Sequence, residues 1–151
     1  MDLSGWIERL KEKLGFGGAG HTCIETTGVS EVARSHAMAP RNYGSMEECD
    51  GNARITGPCG DTMEFRVTVR DGTAEKVSFI TTGCGPSLAS GSMAVTLALG
   101  KSLEEVMALR QQDVLDALEG LPKESEHCAL LAVNTLGAAC RDFLEREKEK
   151  G

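Results

Sequence analysis

Apolar and polar residues alternate most strictly between Met63 and Arg70: Met63, Phe65, Val67 and Val69 fall on one side, and Glu64, Arg66, Thr68 and Arg70 on the other. A period of two is that of a strand with one buried face and one wet face. Asp71-Gly72 offers turn chemistry, after which Val77, Phe79 and Thr81 alternate with Lys76, Ser78 and Ile80. The economical reading is an antiparallel hairpin, joined by a first strand over Asn52 to Ile55 to make a small three-stranded antiparallel sheet.

Helical spacing surrounds that sheet. Ser30 and Glu31 open a short helix through Val32, Ala33 and Ala37, which Pro40 stops because the residue before a proline is pushed out of the helical region. Pro86 suits a first helical position; Leu88, Ser92, Val95 and Leu99 then make one stripe, and Gly100 suits the residue just past the end. Ser102 with Glu105 forms a capping-box pattern. Val114, Leu115 and Leu118 form a further apolar cluster, closed by Gly120 and Pro122. A long last helix is predicted from about Glu126 to Glu149, with Cys128, Leu131, Thr135, Leu136, Ala139 and Phe143 at helical spacing and a solvated, charged end. The fold class is therefore α+β, a three-stranded antiparallel sheet packed against several helices.

The first 28 residues read as a separate region, with the compact unit spanning 29–151. Leu3, Trp6, Ile7, Leu10 and Leu14 recur at three- and four-residue steps between charged residues, which predicts an amphipathic helix. Gly15-Phe16-Gly17-Gly18-Ala19-Gly20 breaks it, since so many glycines cost too much backbone entropy for a helix to continue. This helix is expected to dock on its own domain or on a second copy. Its acids and bases are nearly balanced, unlike the basic polar face of helices that lie on membranes.

Composition mainly excludes. A chain of 151 residues has room for one domain with a real core. Its formal charge of -7 opposes phosphate backbones, which argues against nucleic acid as the principal partner. No apolar run approaches membrane-spanning length, so no membrane span is expected. The chain does not need disulfides at this size and starts without an apolar signal region, which together point to a reducing, cytoplasmic setting.

Chemistry concentrates in three short stretches far apart in the chain: Cys59-Gly60-Asp61, Gly83-Cys84-Gly85 and His127-Cys128. Thiolates beside one imidazole and one carboxylate suit zinc or iron–sulfur chemistry and not the hard ions that prefer oxygen. With no CxxC pair present, such a site must be assembled from separate segments after folding. Cys84 is predicted between a strand end and a helix N-terminus, and Cys128 in the first turn of the last helix, where unpaired amide groups favour anions. Both thiols should ionise more readily for that reason. Gly60, Gly83 and Gly85 leave room for approach, although turn glycines also have a purely conformational explanation.

Several stretches together resemble the NifU/IscU-type iron–sulfur cluster assembly scaffolds: Ala39-Pro40-Arg41-Asn42-Tyr43-Gly44, Gly57-Pro58-Cys59-Gly60-Asp61-Thr62-Met63, Thr82-Gly83-Cys84-Gly85, Gly100-Lys101-Ser102-Leu103 and His127-Cys128. The resemblance covers about residues 29 to 147 in the right order. It implies a three-stranded antiparallel sheet with several helices. It also implies a scaffold, not an enzyme, that receives sulfur from a cysteine desulfurase and ferrous iron, builds a transient 2Fe-2S cluster and passes it to apo-proteins. Carried over by position, Cys59, Cys84 and Cys128 are the family thiols, Asp61 the family carboxylate and His127 the adjacent imidazole. Cys128 is by the same resemblance the persulfide acceptor, and Asp61 the group whose weaker ligation keeps a finished cluster releasable. Zinc readily substitutes at such thiolate sites.

The segment Leu121-Pro122-Lys123-Glu124-Ser125 departs from the Leu-Pro-Pro-Val-Lys that a dedicated chaperone reads in one family branch, so the resemblance does not carry that step. Cys140, one turn beyond Leu136 and near Phe143, reads as a small core side chain. Cys23 and Cys49 sit in poorly patterned stretches. His36 is expected to pack or cap, and His21 to be solvated. Two alternatives remain open: a zinc-bound persulfide acceptor that activates a desulfurase, and a structural zinc module that binds a partner through its N-terminal helix. Whether the fourth ligand is Asp61 or His127 is also open.

Overall fold

The computed structural model describes residues 29–58, 60–83 and 85–150. The predicted N-terminal helix and glycine linker, with His21 and Cys23, lie outside the described residues, as do Cys59 and Cys84. Chain order is α1 (Glu31–Met38), β1 (Gly51–Thr56), β2 (Thr62–Arg70), β3 (Thr73–Thr81), α2 (Gly85–Ala98), α3 (Leu103–Met107), α4 (Gln111–Ala117), a short 3-10 turn (Lys123–Ser125) and α5 (Glu126–Lys150).

The sheet is antiparallel in the order β1-β2-β3. Met63, Phe65 and Val67 are completely buried, as their alternation requires. The β2–β3 turn places both Asp71 (φ 53°) and Gly72 (φ 75°) in the left-handed region, which a two-residue hairpin turn demands and which aspartate and glycine adopt at low cost. Pairing of Phe65 with Phe79 stacks the two rings, centroids 5.6 Å apart, at the middle of the core.

Helix ends follow the sequence signals closely. The Ser30 hydroxyl accepts the Ala33 N–H at 2.9 Å and itself donates to the Leu118 carbonyl, so one cap also ties α1 to the end of α4. Ser102 and Glu105 form the reciprocal capping box. Gly100, at φ 80°, turns the chain after α2 and donates its N–H to Ala74 O at 2.9 Å.

One expectation is corrected. A single apolar stripe on α2 ending at Leu99 would leave its other faces wet, yet Gly85, Pro86, Ser87 and every residue from Ala89 to Val95 is buried. Leu99 falls after the helix and is 38 % exposed. The cause is position: α2 lies between α1, α4 and α5 on one side and β3 on the other, and its small residues allow that. A Cβ on Gly91 would overlap the Phe79 ring, so the helix rides directly on that side chain.

The longest helix, α5, lies along β1 and β2 and is seated at both ends of β1. A Cβ on Gly51 would meet the Ala139 carbonyl and approach Phe143 N to 2.9 Å, and Asn52 N–H donates to Asp142 Oδ2 at 2.9 Å. Cys140, at this contact, is fully buried, and desolvation pushes its thiol up to about 11 against a smaller opposing effect of Arg141. It is a core side chain, as read from the sequence. Among the described residues no helix is long and apolar enough to cross a membrane.

His36 is buried where α1 meets α2. Ser92 Oγ accepts the Arg41 N–H at 2.8 Å and is hydrogen-bonded to His36 Nδ1, 2.6 Å away. Burial first, and the Arg41 charge second, push the His36 imidazole from 6.5 down to about 4.

Two predictions follow from this packing. Gly51→Ala should lower the urea midpoint by the equivalent of roughly 1–3 kcal/mol, because the new methyl meets backbone that cannot turn aside; an unchanged midpoint would contradict the close seating of α5. For His36, the unfolded chain takes up a proton below 6.5 that the folded chain refuses until about 4. Its contribution is therefore complete above pH 6.5 and declines as pH falls toward 4. Denaturation curves across that window should show the loss, and His36→Gln should flatten it.

Candidate metal centre at the ends of two helices

Cys128 is the third residue of α5 and belongs to the stripe continued by Leu131 and Ala132, so the packing that buries those side chains turns its sulfur inward. It is 5 % exposed. His127, on the neighbouring face and only half-buried, places Nε2 3.7 Å from Cys128 Sγ. The first turn of α5 is held from outside the helix, since Gln111 Nε2 donates to the Glu126 carbonyl at 2.9 Å.

The second segment is the turn entering β2. Gly57 N–H donates to Asp61 O at 2.8 Å, and Gly60 N–H donates to Gly57 O at 3.0 Å. Gly60 has φ 92°, which glycine adopts without strain. A Cβ on Gly57 would lie 3.3 Å from Leu131 Cδ2, so this turn rests on α5 one helical turn beyond Cys128. Asp61 is thereby delivered to the start of α5.

The third segment leaves β3 and starts α2. Thr82 N–H donates to Thr62 O, and Thr62 N–H to Thr82 Oγ1, both at 3.0 Å, which locks this segment to the one carrying Asp61. Ser87, in the first turn of α2, directs its hydroxyl at Asp61 Oδ2 (3.3 Å) and at Cys128 Sγ (3.5 Å). A Cβ on Gly83 would overlap the Ser87 side chain and come 2.9 Å from Asp61 Oδ2. Glycine at 83 is thus a steric requirement of the site as well as of the turn.

Of the sequence-predicted residues, His127 and Cys128 are in contact, and Asp61 is connected to Cys128 through the Ser87 hydroxyl. The two others, Cys59 and Cys84, lie outside the described residues; the residues on either side of each belong to the segments just described. Among the described residues no group of three His, Cys, Asp or Glu side chains is close enough to hold one metal ion. The N-termini of α2 and α5 both face this region, and their unpaired N–H groups favour thiolate and carboxylate charge. Softness of the donor set, with an oxygen and a nitrogen ligand at hand, fits zinc, ferrous iron or an iron–sulfur cluster.

Sequence reasoning missed Ser87 and Gln111. Ser87 stands three residues after Cys84, one helical turn on, and that spacing in a helix beginning Gly85-Pro86 is a signal that points it at the same place. Gln111 carries no such mark, since its contact crosses between two helices.

Comparison with known proteins agrees with the resemblance. Residues 29–150 match the model of the NifU-like N terminal domain. The chain is 37 % identical over 118 residues to the iron-sulfur cluster assembly scaffold protein IscU 1 of Archaeoglobus fulgidus, covering 78 % of this chain and 77 % of that one. It is 36 % identical over 126 residues to the iron-sulfur cluster assembly scaffold protein IscU of Escherichia coli K12, covering 80 % and 98 %. A crystal structure of a nitrogen-fixing NifU-like protein (N-terminal) from Brucella abortus superposes with a TM-score of 0.64 at 19 % identity, covering 78 % of this chain and 94 % of that one, which establishes the shared fold. A family match over nearly all of the described chain, with relatives 36–37 % identical, leads to one conclusion: the chain belongs to the NifU-like N terminal domain family.

Proposed function

We propose that this protein is an iron–sulfur cluster assembly scaffold: it receives persulfide sulfur from a cysteine desulfurase, which ferrous iron and an external thiol reductant together reduce to sulfide as a 2Fe-2S cluster forms, and it releases the cluster to acceptor proteins. The observation that carries the reading is the convergence of three separate segments at Cys128, which lies beside His127 and is connected through Ser87 to Asp61, in a chain whose curated relatives are named as such scaffolds. Residues 1–28 form, on this reading, an appendage to a scaffold domain over 29–151.

The cluster is cargo, so its site must bind and also let go. Cys59, Cys84 and Cys128 supply thiolates, and the fourth ligand comes from Asp61 or His127. An oxygen or nitrogen donor in place of a fourth thiolate weakens the hold on iron and leaves one edge exchangeable. Sulfur would enter at Cys128. Its thiolate attacks the terminal sulfur of the desulfurase persulfide; the new S–S bond forms on Cys128 as the old one breaks, and the desulfurase cysteine leaves as thiolate. A helix start stabilises the attacking anion. Zinc bound by the same thiolates would be a substitute and not the cargo.

Anaerobic incubation with ferrous iron, cysteine and a desulfurase should give a coloured, oxygen-sensitive protein. A persistently colourless protein that keeps zinc and still accelerates the desulfurase would contradict the scaffold reading. Serine at Cys59, Cys84 or Cys128, one at a time, should cut cluster yield by on the order of tenfold or more, since even outer-shell changes at metal sites cost roughly 10–100-fold. Cys140→Ser should leave the yield intact while lowering stability; the reverse pattern would overturn the ligand assignment. Asp61→Cys, which supplies a fourth thiolate, should slow transfer to an apo-acceptor more than it slows assembly, as read by the appearance of the cluster spectrum on the separated acceptor.

A further inference from the structure

Ser87 has a place in this site that neither the family resemblance nor the donor set assigns. It is 1 % exposed, and its oxygen lies 3.3 Å from Asp61 Oδ2 and 3.5 Å from Cys128 Sγ. A serine hydroxyl carries one proton, so it can serve only one of these acceptors at a time. A Cβ on Gly83 would overlap the Ser87 hydroxyl, so the side chain is confined on the Gly83 side. Changing acceptor therefore requires rotation about the C–O bond and no movement of backbone.

We propose that Ser87 is a positioning residue that links Asp61 to Cys128: it holds the carboxylate in the metal-free site and turns its proton to the Cys128 sulfur when Asp61 gives its oxygen to a metal. The inference rests on the scaffold reading for its purpose and on the two contacts for its geometry. In the metal-free site the carboxylate is the better acceptor, being charged and closer, and the hydrogen bond orients it at the mouth of the site. When that oxygen turns toward a metal it moves away from the Ser87 hydroxyl, whose other acceptor in reach is Cys128 Sγ. A hydrogen bond to a ligating sulfur withdraws electron density from it, one of the ways a protein sets the properties of a thiolate-bound metal or cluster. Ser87 thus makes the electronic state of the Cys128 thiolate depend on whether Asp61 is bound.

The test uses cobalt(II) as the probe, because thiolate-to-cobalt charge-transfer absorption reports on the sulfur whether or not a cluster can be built. Wild type, Ser87→Ala and Ser87→Thr are titrated anaerobically with cobalt(II), with far-UV circular dichroism of each metal-free protein as the check on folding. Ser87→Ala should shift the band to longer wavelength, because the sulfur lone pairs are no longer stabilised by the hydroxyl, and Ser87→Thr should return it toward the wild-type position. A Ser87→Ala band at the wild-type wavelength, or an equal shift in both variants, would overturn the proposal. Should Ser87→Ala lose its fold, Ser87→Thr alone is read: it keeps the hydroxyl, so a band away from the wild-type position overturns the proposal. The two proposals fail separately: a Ser87-dependent cobalt band in a protein that never assembles a cluster sinks the scaffold reading alone, and normal cluster assembly with an indifferent band sinks the Ser87 link alone. No thiolate–cobalt band in wild type would end both.

Discussion

Direct seating of α5 on β1 sets the height and register on which the candidate site depends. Two glycines make it possible, Gly51 under Ala139 and Phe143 and Gly57 under Leu131, where larger residues would hold the helix away. The lengths match: six residue steps along the strand span about 20 Å, and twelve along the helix from Leu131 to Phe143 about 18 Å. A helix anchored at two such points cannot slide or rotate freely. Its first turn must then fall beside the turn that carries Asp61, and Cys128 must face inward because Leu131 and Ala132 do.

From that contact the rest of the site follows by short-range bonds. Thr62 and Thr82 lock the second segment to the third, Ser87 reaches from the third to both Asp61 and Cys128, and Gln111 holds the carbonyl at the start of α5. Each link is weak alone, on the order of 1 kcal/mol for an ordinary hydrogen bond. Together they place two helix N-termini and a strand entry at one edge of the domain, an arrangement that favours negative charge on the side chains there. The opposite end of β1, where Cys140 is sealed in the core and its thiol held protonated near neutral pH, has none of these features. Electrostatic setting, and neither residue type nor burial, separates the two cysteines of α5.

Much of this was legible in the sequence because it depends on local patterns. Alternation over Met63 to Arg70, the Asp71-Gly72 turn, the Ser30 cap, the Ser102–Glu105 capping box and the long stripe of α5 all concern neighbours within one or two turns, and each is found as read. The burial of α2 on nearly every side was not legible, since a helix surrounded by neighbours has no wet face to give it a period, and its serines read as polar although they are buried. The antiparallel sheet could be read from two strands, but the parallel bridge that sets Tyr43 beside Phe79 could not, because it is made by a loop with no strand pattern. In the candidate site, Asp61, His127 and Cys128 were marked by residue type next to turns and helix starts. Ser87 and Gln111 act only through contacts with other elements, and Gly83 reads as a turn residue until the Ser87 side chain behind it is seen.

On the proposed function, one inorganic centre draws its ligands from all three segments. Iron K-edge X-ray absorption of the anaerobically loaded protein, wild type and with serine at Cys59, Cys84 or Cys128 in turn, counts the atoms bound to iron by type. Sulfur should dominate in wild type, with an oxygen or nitrogen component and an iron neighbour at short distance, and each serine variant should lose sulfur. A shell of oxygen and nitrogen alone would contradict that function.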